Sequence, residues 1–264
     1  MDKDFTLLIT LGIASMLLLA AGFLLIVVRN QRKKWQLQLQ MSQLKEQQQN
    51  QLIEAAVKSE EGERHRIAET LHDEVGAILS SVRLHFSNIN SSQMDARGNT
   101  LHDKSKELLD EAIQKVRSIS HNLHSTLLKE FGLNEAIRNF LTKTVQGSII
   151  SVDMELDPNY LIQSSQMDIS IYRILQELVN NTLKHAHPTH LNVSTVVLND
   201  IFTMSIQFDG SGLTQQQFEE LRYKPDGLGL KNIQNRIILL KGNIHFETNN
   251  PENTIRLTVP LNPE

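Results

Sequence analysis

The chain has 264 residues, no cysteine and a formal net charge of −4 at pH 7. A length of this order allows one large domain or two modest ones with a proper hydrophobic core. The lack of cysteine excludes disulfide bridges and cysteine zinc sites, and the negative net charge without an extended basic patch argues against a nucleic-acid partner.

The N-terminal region predicts one transmembrane helix. Residues 5–28 contain no charged residue, and a helix of this length exceeds the roughly 30 Å hydrocarbon core of a bilayer. A basic cluster at residues 29–34 follows the span, whereas only Lys3 precedes it, so the body of the protein is expected in the cytoplasm with lipid headgroups near the cluster. Residues 1–4 form a short extracytoplasmic end. A cleaved signal peptide is the alternative, which the position of the basic cluster disfavours.

Residues 29–59 predict a polar helical linker without Gly or Pro. Leu37, Met41 and Leu44 follow coiled-coil spacing, but glutamines occupy the next two positions of the same register. A solvated spacer helix and a weak signalling coiled coil both remain open.

Residues 60–130 predict an antiparallel helical hairpin, with a helix that runs uninterrupted through 63–76 and a polar break at 88–99. Apolar residues at helical spacing form one face of each helix. They are Ile67, Leu71, Val75, Ile78, Val82 and Ile89 in the first helix and Leu109, Ala112, Val116, Ile119, Leu123 and Leu127 in the second. Because a hairpin holds only half a core, we expect a homodimer with a four-helix bundle.

His72 and Asp73 lie side by side at the edge of the first apolar face. A neutral imidazole is nucleophilic near pH 7 and can accept a phosphoryl group. The adjacent carboxylate can take or orient the ring proton. Taken alone, such a pair is more often a surface hydrogen bond.

Beyond Phe131 and Gly132 the pattern alternates between helices and strands. Helices are predicted at 133–144, 166–186 and 230–240, and strands at 149–156, 191–198, 202–208, 243–248 and 254–259. Asn199 and Asp200 predict a turn between two of the strands. Helices mixed with antiparallel strands indicate an α/β sandwich at 131–264, so the fold class of the chain is α+β.

Three polar residues share one side of the helix predicted at 166–186: Glu177, Asn181 and Lys184. A carboxylate, an amide oxygen and an ammonium suit a hydrated Mg²⁺ beside phosphates, although a solvated polar face is the plainer explanation. His185, His187 and His190 lie close in sequence around a proline, but their spacing does not predict a metal site.

Two glycine pairs follow, Gly210 with Gly212 and Gly227 with Gly229. Glycine lets backbone N–H groups approach a phosphate, and the second pair opens a helix whose N-terminus favours anions. Each pair is a weak signal when taken by itself.

These blocks together resemble the two-component sensor histidine kinases whose phosphoacceptor histidine is followed by aspartate. The stretch ERHRIAETLHDEVG at 63–76 is similar to their phosphoacceptor box, YRILQELVNNTLKHA at 172–186 to the N box, and the glycine pairs to the G1 and G2 boxes of the Bergerat ATP-binding fold shared with gyrase. The segment 213–226 between the glycine pairs would be a short lid over ATP.

The resemblance implies that His72 is phosphorylated with Asp73 as its base, and that two arginines of the box line a docking site. Asn181 would hold Mg²⁺, and Lys184 and His185 would lie near the phosphates. An aspartate of a response regulator would receive the phosphoryl group, so that the protein controls transcription.

Three departures from the family pattern leave alternatives open. Phe208 stands where the family has its adenine-recognising aspartate, and Asp209 could replace that residue only if the strand end bulges. A non-catalytic dimeric membrane scaffold is therefore the alternative; the intact His-Asp box disfavours a serine kinase of an anti-sigma system.

Ala77 replaces the glutamine of phosphatase relatives, which predicts weak or absent phosphatase activity. No sensor domain is visible, so the stimulus arrives through the membrane helix, the linker or an unidentified membrane partner.

Overall fold

The computed structural model describes residues 2–89, 95–123, 126–160, 165–222, 224, 228–249 and 252–262. The chain divides into two compact units, Met1–Leu52 and Ile53–Glu264. The helices are α1 (Asp2–Thr70), a π-helical turn (Leu71–Val75), α2 (Gly76–Ser87), α3 (Ala96–Leu123), α4 (Thr126–Val145), α5 (Ser165–His185), α6 (Gln215–Leu221) and α7 (Leu228–Leu239). The strands are β1 (Ser151–Glu155), β2 (His190–Leu198), β3 (Ile201–Phe208), β4 (Asn243–Asn249) and β5 (Glu252–Pro260).

The first unit is the N-terminal part of α1. Large apolar side chains such as Leu19, Phe23 and Leu25 are exposed along it. Among the residues that the structure describes, no helix combines the length and apolarity that a membrane crossing needs. Most side chains between residues 5 and 21 of the predicted span lie outside the described residues. The predicted linker at 29–59 is helical throughout.

In the second unit, the end of α1, the π-turn and α2 run against α3. The Arg83 guanidinium of α2 pairs with the Asp110 carboxylate of α3 at 2.8 Å, and the rings of Phe86 and His102 stack with centroids 5.3 Å apart. The prediction of a helical hairpin is confirmed. Ile78 remains 63% exposed, so one chain buries only part of the apolar surface of its hairpin.

The predicted inner face of α3 does not include the two residues that this helix buries, Ile113 and Ser120. Ile119 is exposed, whereas Ser120 is buried at 5% exposure. The Ser120 hydroxyl donates to the Ala68 carbonyl of α1 at 2.9 Å, and Ala68 itself is fully buried. A small polar residue fits this close helix contact better than a bulky apolar one, because its hydroxyl finds an acceptor there.

The five strands form one sheet of order β1-β2-β3-β5-β4, and its buried residues join those of the helices in one core cluster. Its buried residues alternate along the strands, for example Phe202, Met204 and Ile206 on β3, as a half-buried sheet requires. Apolar residues of α4, α5 and α7 complete the same core. All predicted strands are confirmed within two residues, but β1 pairs parallel to β2, so the sheet is mixed rather than wholly antiparallel.

Two predicted breaks have the expected backbone geometry. Gly132 has φ +80° and separates the first turns of α4 from its main part. Asn199 and Asp200 both have positive φ between β2 and β3, as a tight two-residue hairpin requires.

Candidate functional site

The His-Asp pair lies in the π-turn between α1 and α2. The Gly76 N–H donates to the Leu71 carbonyl, five residues back, instead of the α-helical four. The expectation of an uninterrupted α-helix is therefore wrong at His72. The side chains of His72 and Asp73 are both exposed. π-turns are rare and occur often at functional sites, and here the turn presents the imidazole to solvent.

The two arginines of the same box are engaged on their own helix. Arg64 pairs with Glu60 at 3.0 Å, and Arg66 Nε donates to Glu63 at 2.9 Å. The structure therefore gives neither arginine as a free phosphate ligand beside His72.

A cavity of about 650 Å³ opens between α5, the end of β3 and the start of α7. This volume lies within the range of about 300–1,000 Å³ that small-molecule sites span. Its apolar walls are Leu178, Phe208, Leu213, Leu221, Leu230, Phe246 and Ile255, and its polar walls are Glu177, Asn181, Thr182, Lys184, His185, Ser211 and Lys224. A ligand with one flat apolar end and one anionic end fits such a lining.

The predicted residues of α5 are brought together in this cavity. Glu177, Asn181, Lys184 and His185 all line it. The Asn181 amide Nδ2 lies 3.4 Å from Glu177 Oε1, a long contact that leaves the amide oxygen open to another partner. Gly229 of α7 also lines the cavity, and a Cβ added there would overlap the Glu177 carboxylate. Glycine at this position leaves room for the Glu177 carboxylate where it lies.

Asp209 does not line the cavity, so the hypothesis that it replaces the base-recognising aspartate at a bulged strand end gains no support. Its Oδ1 accepts the N–H groups of Thr189 and His190, each at 2.8 Å, and its Oδ2 accepts the Thr189 hydroxyl at 2.6 Å. Hydrogen bonds from Thr189 and His190 lower the pKa of Asp209 to about 2. The physical reason is strand alternation: Phe208 points into the cavity, so its neighbour points away.

The first glycine pair shapes a tight loop at the end of β3. Gly210 has φ +94°, and a Cβ there would overlap the Ala186 carbonyl oxygen. Ser211 N–H donates to that same carbonyl at 3.1 Å. Ser211 lines the cavity, whereas Gly210 and Gly212 are not among the residues that line it. Gly227 lies outside the described residues.

Asn253 anchors this loop and was missed by the sequence analysis. It lies on β5 opposite Phe208, is 7% exposed, and donates from Nδ2 to the Gly210 carbonyl at 3.0 Å. Its amide oxygen lies where a Cβ on Gly212 would be. No sequence signal marks Asn253, because its role depends on the pairing of β5 with β3, and its partner Phe208 lies 45 positions earlier in the chain.

The segment 213–226 contains a folded helix, so the prediction of a simple lid was incomplete. Thr214 forms a capping box with Gln217 at the start of α6. The Phe218 side chain is 1% exposed and stacks on Phe246 with ring centroids 4.7 Å apart. Lys224, a cavity residue that the sequence analysis did not single out, follows this helix.

The described residues that line the cavity come from α5, β3 to α6, α7, β4 and β5, and none comes from α1, α2 or α3. His72 therefore does not lie at the cavity in this conformation.

Comparison with known proteins gives two family matches. Residues 63–128 match the family model described as histidine kinase. Residues 167–263 match the model described as histidine kinase-, DNA gyrase B- and HSP90-like ATPase.

Curated relatives match across both regions. The signal transduction histidine-protein kinase/phosphatase DegS of Brevibacillus brevis is 25% identical over 220 residues, which cover 79% of this chain and 54% of DegS. The sensor protein VraS of Staphylococcus epidermidis is 26% identical over 209 residues, covering 77% of this chain and 57% of VraS. The chain thus spans about half the length of the curated relatives it matches.

Among solved structures, the Acinetobacter baumannii histidine kinase AdeS aligns with a TM-score of 0.41 at 18% identity, covering 74% of this chain and 98% of that one. The assignment comes from the two family models, which match the phosphoacceptor box and the cavity-bearing layer in the order that the sequence motifs predicted. The chain belongs to the sensor histidine kinases, in the subfamily that joins a His-Asp phosphoacceptor region to a gyrase-type ATPase domain.

Proposed function

We propose that this protein transfers the γ-phosphoryl group of ATP to His72 and then to an aspartate of a response regulator, and so controls transcription. The observation that carries the proposal is the presence of two complementary sites in one chain. An exposed His-Asp pair lies in a π-turn, and a cavity with both apolar and polar lining residues is bounded by the Asn181 helix.

The reaction needs a neutral His72 ring and a phosphoryl donor in line with it. One ring nitrogen attacks the γ-phosphorus, the N–P bond forms as the bond from phosphorus to the β,γ-bridging oxygen breaks, and ADP leaves with that oxygen. Asp73 holds the ring proton on the other nitrogen. The protein contributes positioning and neutralisation of charge rather than covalent chemistry of its own.

The polar residues of the cavity lining fit Mg²⁺ and phosphates. Asn181, with its open amide oxygen, would hold the ion together with Glu177, since Mg²⁺ takes few protein oxygens and keeps several waters. When bound, Mg²⁺ neutralises charge on the phosphate oxygens. Lys184, His185 and Lys224 would face the phosphates as hydrogen-bond donors, and the apolar lining residues would contact the purine.

The finer assembly is part of the same proposal. Residues 5–28 anchor the protein in the inner membrane as a single span, with the basic cluster at 29–34 on the cytoplasmic side near lipid headgroups. The stimulus arrives through this span, the linker or a membrane partner. Ile78, Val82 and Leu108, left exposed on the hairpin, support a homodimer, because a second copy would cover them.

The domain boundaries stay those that the sequence predicts: 1–4, 5–28, 29–59, 60–130 and 131–264. The positive φ of Gly132 supports the last boundary, because it interrupts the helix directly after that point.

Labelling with γ-labelled ATP tests the proposal. The purified chain should acquire acid-labile, alkali-stable label, as phosphohistidine does. His72→Gln removes the acceptor and Asn181→Ala removes the proposed ion ligand, so both variants should lose the label, and Asn181→Ala should also weaken binding of Mg-ATP. Label that survives His72→Gln would contradict the assignment of the acceptor.

A second candidate function, a non-catalytic dimeric scaffold, is favoured by one observation. Phe208 occupies the cavity wall where the family has its base-recognising aspartate. Absence of any adenine-nucleotide binding would favour this candidate.

We also propose little phosphatase activity, because the exposed Ala77 has no amide to position water. Rapid Mg²⁺-dependent loss of label from a phosphorylated regulator would contradict this proposal.

A further inference from the structure

Two neighbouring stripes of α5 line the nucleotide cavity, and they differ in chemistry. Residues three or four apart lie on one side of a helix, so each stripe faces the cavity as a unit. The first stripe is polar and consists of Glu177, Asn181 and Lys184. The second, called the Thr182 stripe below, carries a single polar side chain and consists of Leu178, Thr182 and Ala186.

The Thr182 stripe adjoins the loop that follows β3. The Ala186 carbonyl accepts the Ser211 N–H at 3.1 Å. Phe208, three residues before Ser211, lines the same cavity. The buried residues Leu178, Ala186 and Phe208 belong to one core cluster. The Thr182 stripe, Phe208 and Ser211 therefore form a continuous and mainly apolar wall, called the purine wall below.

The purine wall contains no carboxylate. Glu177 is the single carboxylate among the described residues that line the cavity, and its Oε1 lies on the polar stripe, 3.4 Å from Asn181 Nδ2. Asp209 does not line the cavity, and both of its oxygens accept hydrogen bonds elsewhere. A carboxylate only accepts hydrogen bonds, so it would bind the 6-amino group of adenine and repel the 6-oxygen of guanine. The purine wall lacks such a group.

The backbone acceptors of the purine wall already have partners. The Thr182 carbonyl accepts the Ala186 N–H at 2.8 Å, and the Ala186 carbonyl accepts the Ser211 N–H. In the adjoining loop, the Gly210 carbonyl accepts a hydrogen bond from Asn253 Nδ2 at 3.0 Å. The side-chain hydroxyls are therefore the main groups of the wall that can bind the edge of a base.

Of the two hydroxyls, that of Thr182 is the better enclosed. Thr182 is 5% exposed, whereas Ser211 is exposed. None of the described residues forms a hydrogen bond with the Thr182 hydroxyl, so a ligand that fills the cavity can supply its partner. A hydroxyl both donates and accepts. It can accept from the 6-amino group of adenine or donate to the 6-oxygen of guanine.

We propose that the cavity does not select adenine, because the Thr182 hydroxyl binds whichever 6-substituent the purine carries. GTP is then a phosphoryl donor beside ATP. This inference rests on the proposed kinase function and deepens it, since it names purine nucleoside triphosphates as the substrate class. The bonds that change are the same with either donor. The N–P bond forms at His72, the bond from the γ-phosphorus to the β,γ-bridging oxygen breaks, and GDP leaves with that oxygen when GTP is the donor.

Calorimetry on the full chain with Mg-ATP, Mg-GTP and Mg-CTP tests the inference. The Kd values of Mg-ATP and Mg-GTP should agree within about threefold, whereas a matched contact to one base would separate them by about fivefold or more. Mg-CTP should bind about fivefold more weakly, because its single ring covers less of the purine wall. The initial rate of labelling from γ-labelled GTP should lie within about threefold of the rate from γ-labelled ATP.

Thr182→Val keeps the shape of the side chain and removes the hydroxyl. This variant should raise the Kd of both purine nucleotides by about two- to tenfold, the value of one hydrogen bond, and should leave the ratio of the two Kd values unchanged. Thr182→Ser retains a hydroxyl and should recover most of the binding that valine loses. Thr203→Val is the matched control, because Thr203 does not line the cavity, and it should change neither Kd.

Each outcome has a distinct meaning. A preference for Mg-ATP over Mg-GTP of more than about threefold, or label from ATP with none from GTP, overturns the inference and leaves the proposed function in place. Equal binding of Mg-CTP, or unchanged Kd values in Thr182→Val, shows that this hydroxyl does not bind the base and also overturns the inference. Absence of binding and label with every nucleotide overturns the proposed function, and the inference falls with it. The comparison on wild type needs no variant, so a Thr182→Val chain that fails to fold leaves the test intact.

Discussion

Truncation of Phe208 to alanine should weaken Mg-ATP binding and destabilise β3. The ring is 3% exposed and belongs to the core cluster, yet it also forms part of the cavity wall. The cavity has its volume of about 650 Å³ with the ring in place. We therefore expect Phe208 to be a wall on which the purine lies rather than a plug that excludes it.

The magnitudes follow from these two roles. Removal of a core phenylalanine side chain costs about 3–5 kcal/mol, and we expect about 3 kcal/mol because one face of the ring meets the cavity instead of other side chains. At about 1.4 kcal/mol per factor of ten, backbone amides of β3 should exchange about 100-fold faster. Loss of a ring contact worth about 0.5–1.5 kcal/mol should raise the Kd of Mg-ATP by about two- to tenfold.

Calorimetry for the Kd and hydrogen exchange for β3 measure the two effects separately. Phe202→Ala is the matched control, because Phe202 lies on the same strand and is fully buried but does not line the cavity. It should destabilise β3 at least as much while leaving the Kd nearly unchanged. Tighter nucleotide binding by Phe208→Ala would refute the reasoning, since it would show that the ring fills the base position.

Three further predictions concern Gly229, Asn253 and Asp209. Gly229→Ala adds a Cβ that displaces the Glu177 carboxylate. It should raise the Kd of Mg-ATP by about tenfold, which corresponds to the loss of roughly one ligand contact. Gly62→Ala is the control: open space surrounds the added atom, so this variant should leave the Kd unchanged in the same titration. Asn253→Leu removes the hydrogen bond to the glycine loop and should cost about 1 kcal/mol in thermal unfolding. Asp209 has its pKa lowered from 3.8 to about 2, so its stabilisation is present above pH 4 and is lost as the pH falls towards 2; Asp209→Asn should flatten this part of the stability profile measured by denaturant titration.

The sequence predicts the secondary structure of the ATP-binding layer well because local signals agree there. Strand alternation and the Asn199 turn each fix one element without help from distant residues. The cavity residues of α5 are predictable for the same reason, since helical spacing alone places Glu177 and Asn181 on one side.

Other features depend on contacts between distant parts of the chain, and no local sequence pattern predicts these contacts. Asn253 matters because β5 pairs with β3, and Ser120 is buried because α3 passes Ala68. The π-turn at His72 has no composition signal, since its five residues include neither Gly nor Pro. The strand rule did predict that Asp209 would point away from Phe208, and the hydrogen bonds to Thr189 show where it points instead.

The π-turn has a practical consequence for protein engineering. It places one extra residue in a helical turn, so the helix after it is rotated by about 100° relative to a continuous α-helix. Heptad positions counted from the linker are out of phase with those of α2. In a chimera that joins a foreign input module to this chain, the heptad register of the module must therefore be matched to residues before Leu71. Insertion of a whole heptad there keeps that register, so it should leave the signalling output of the chimera unchanged.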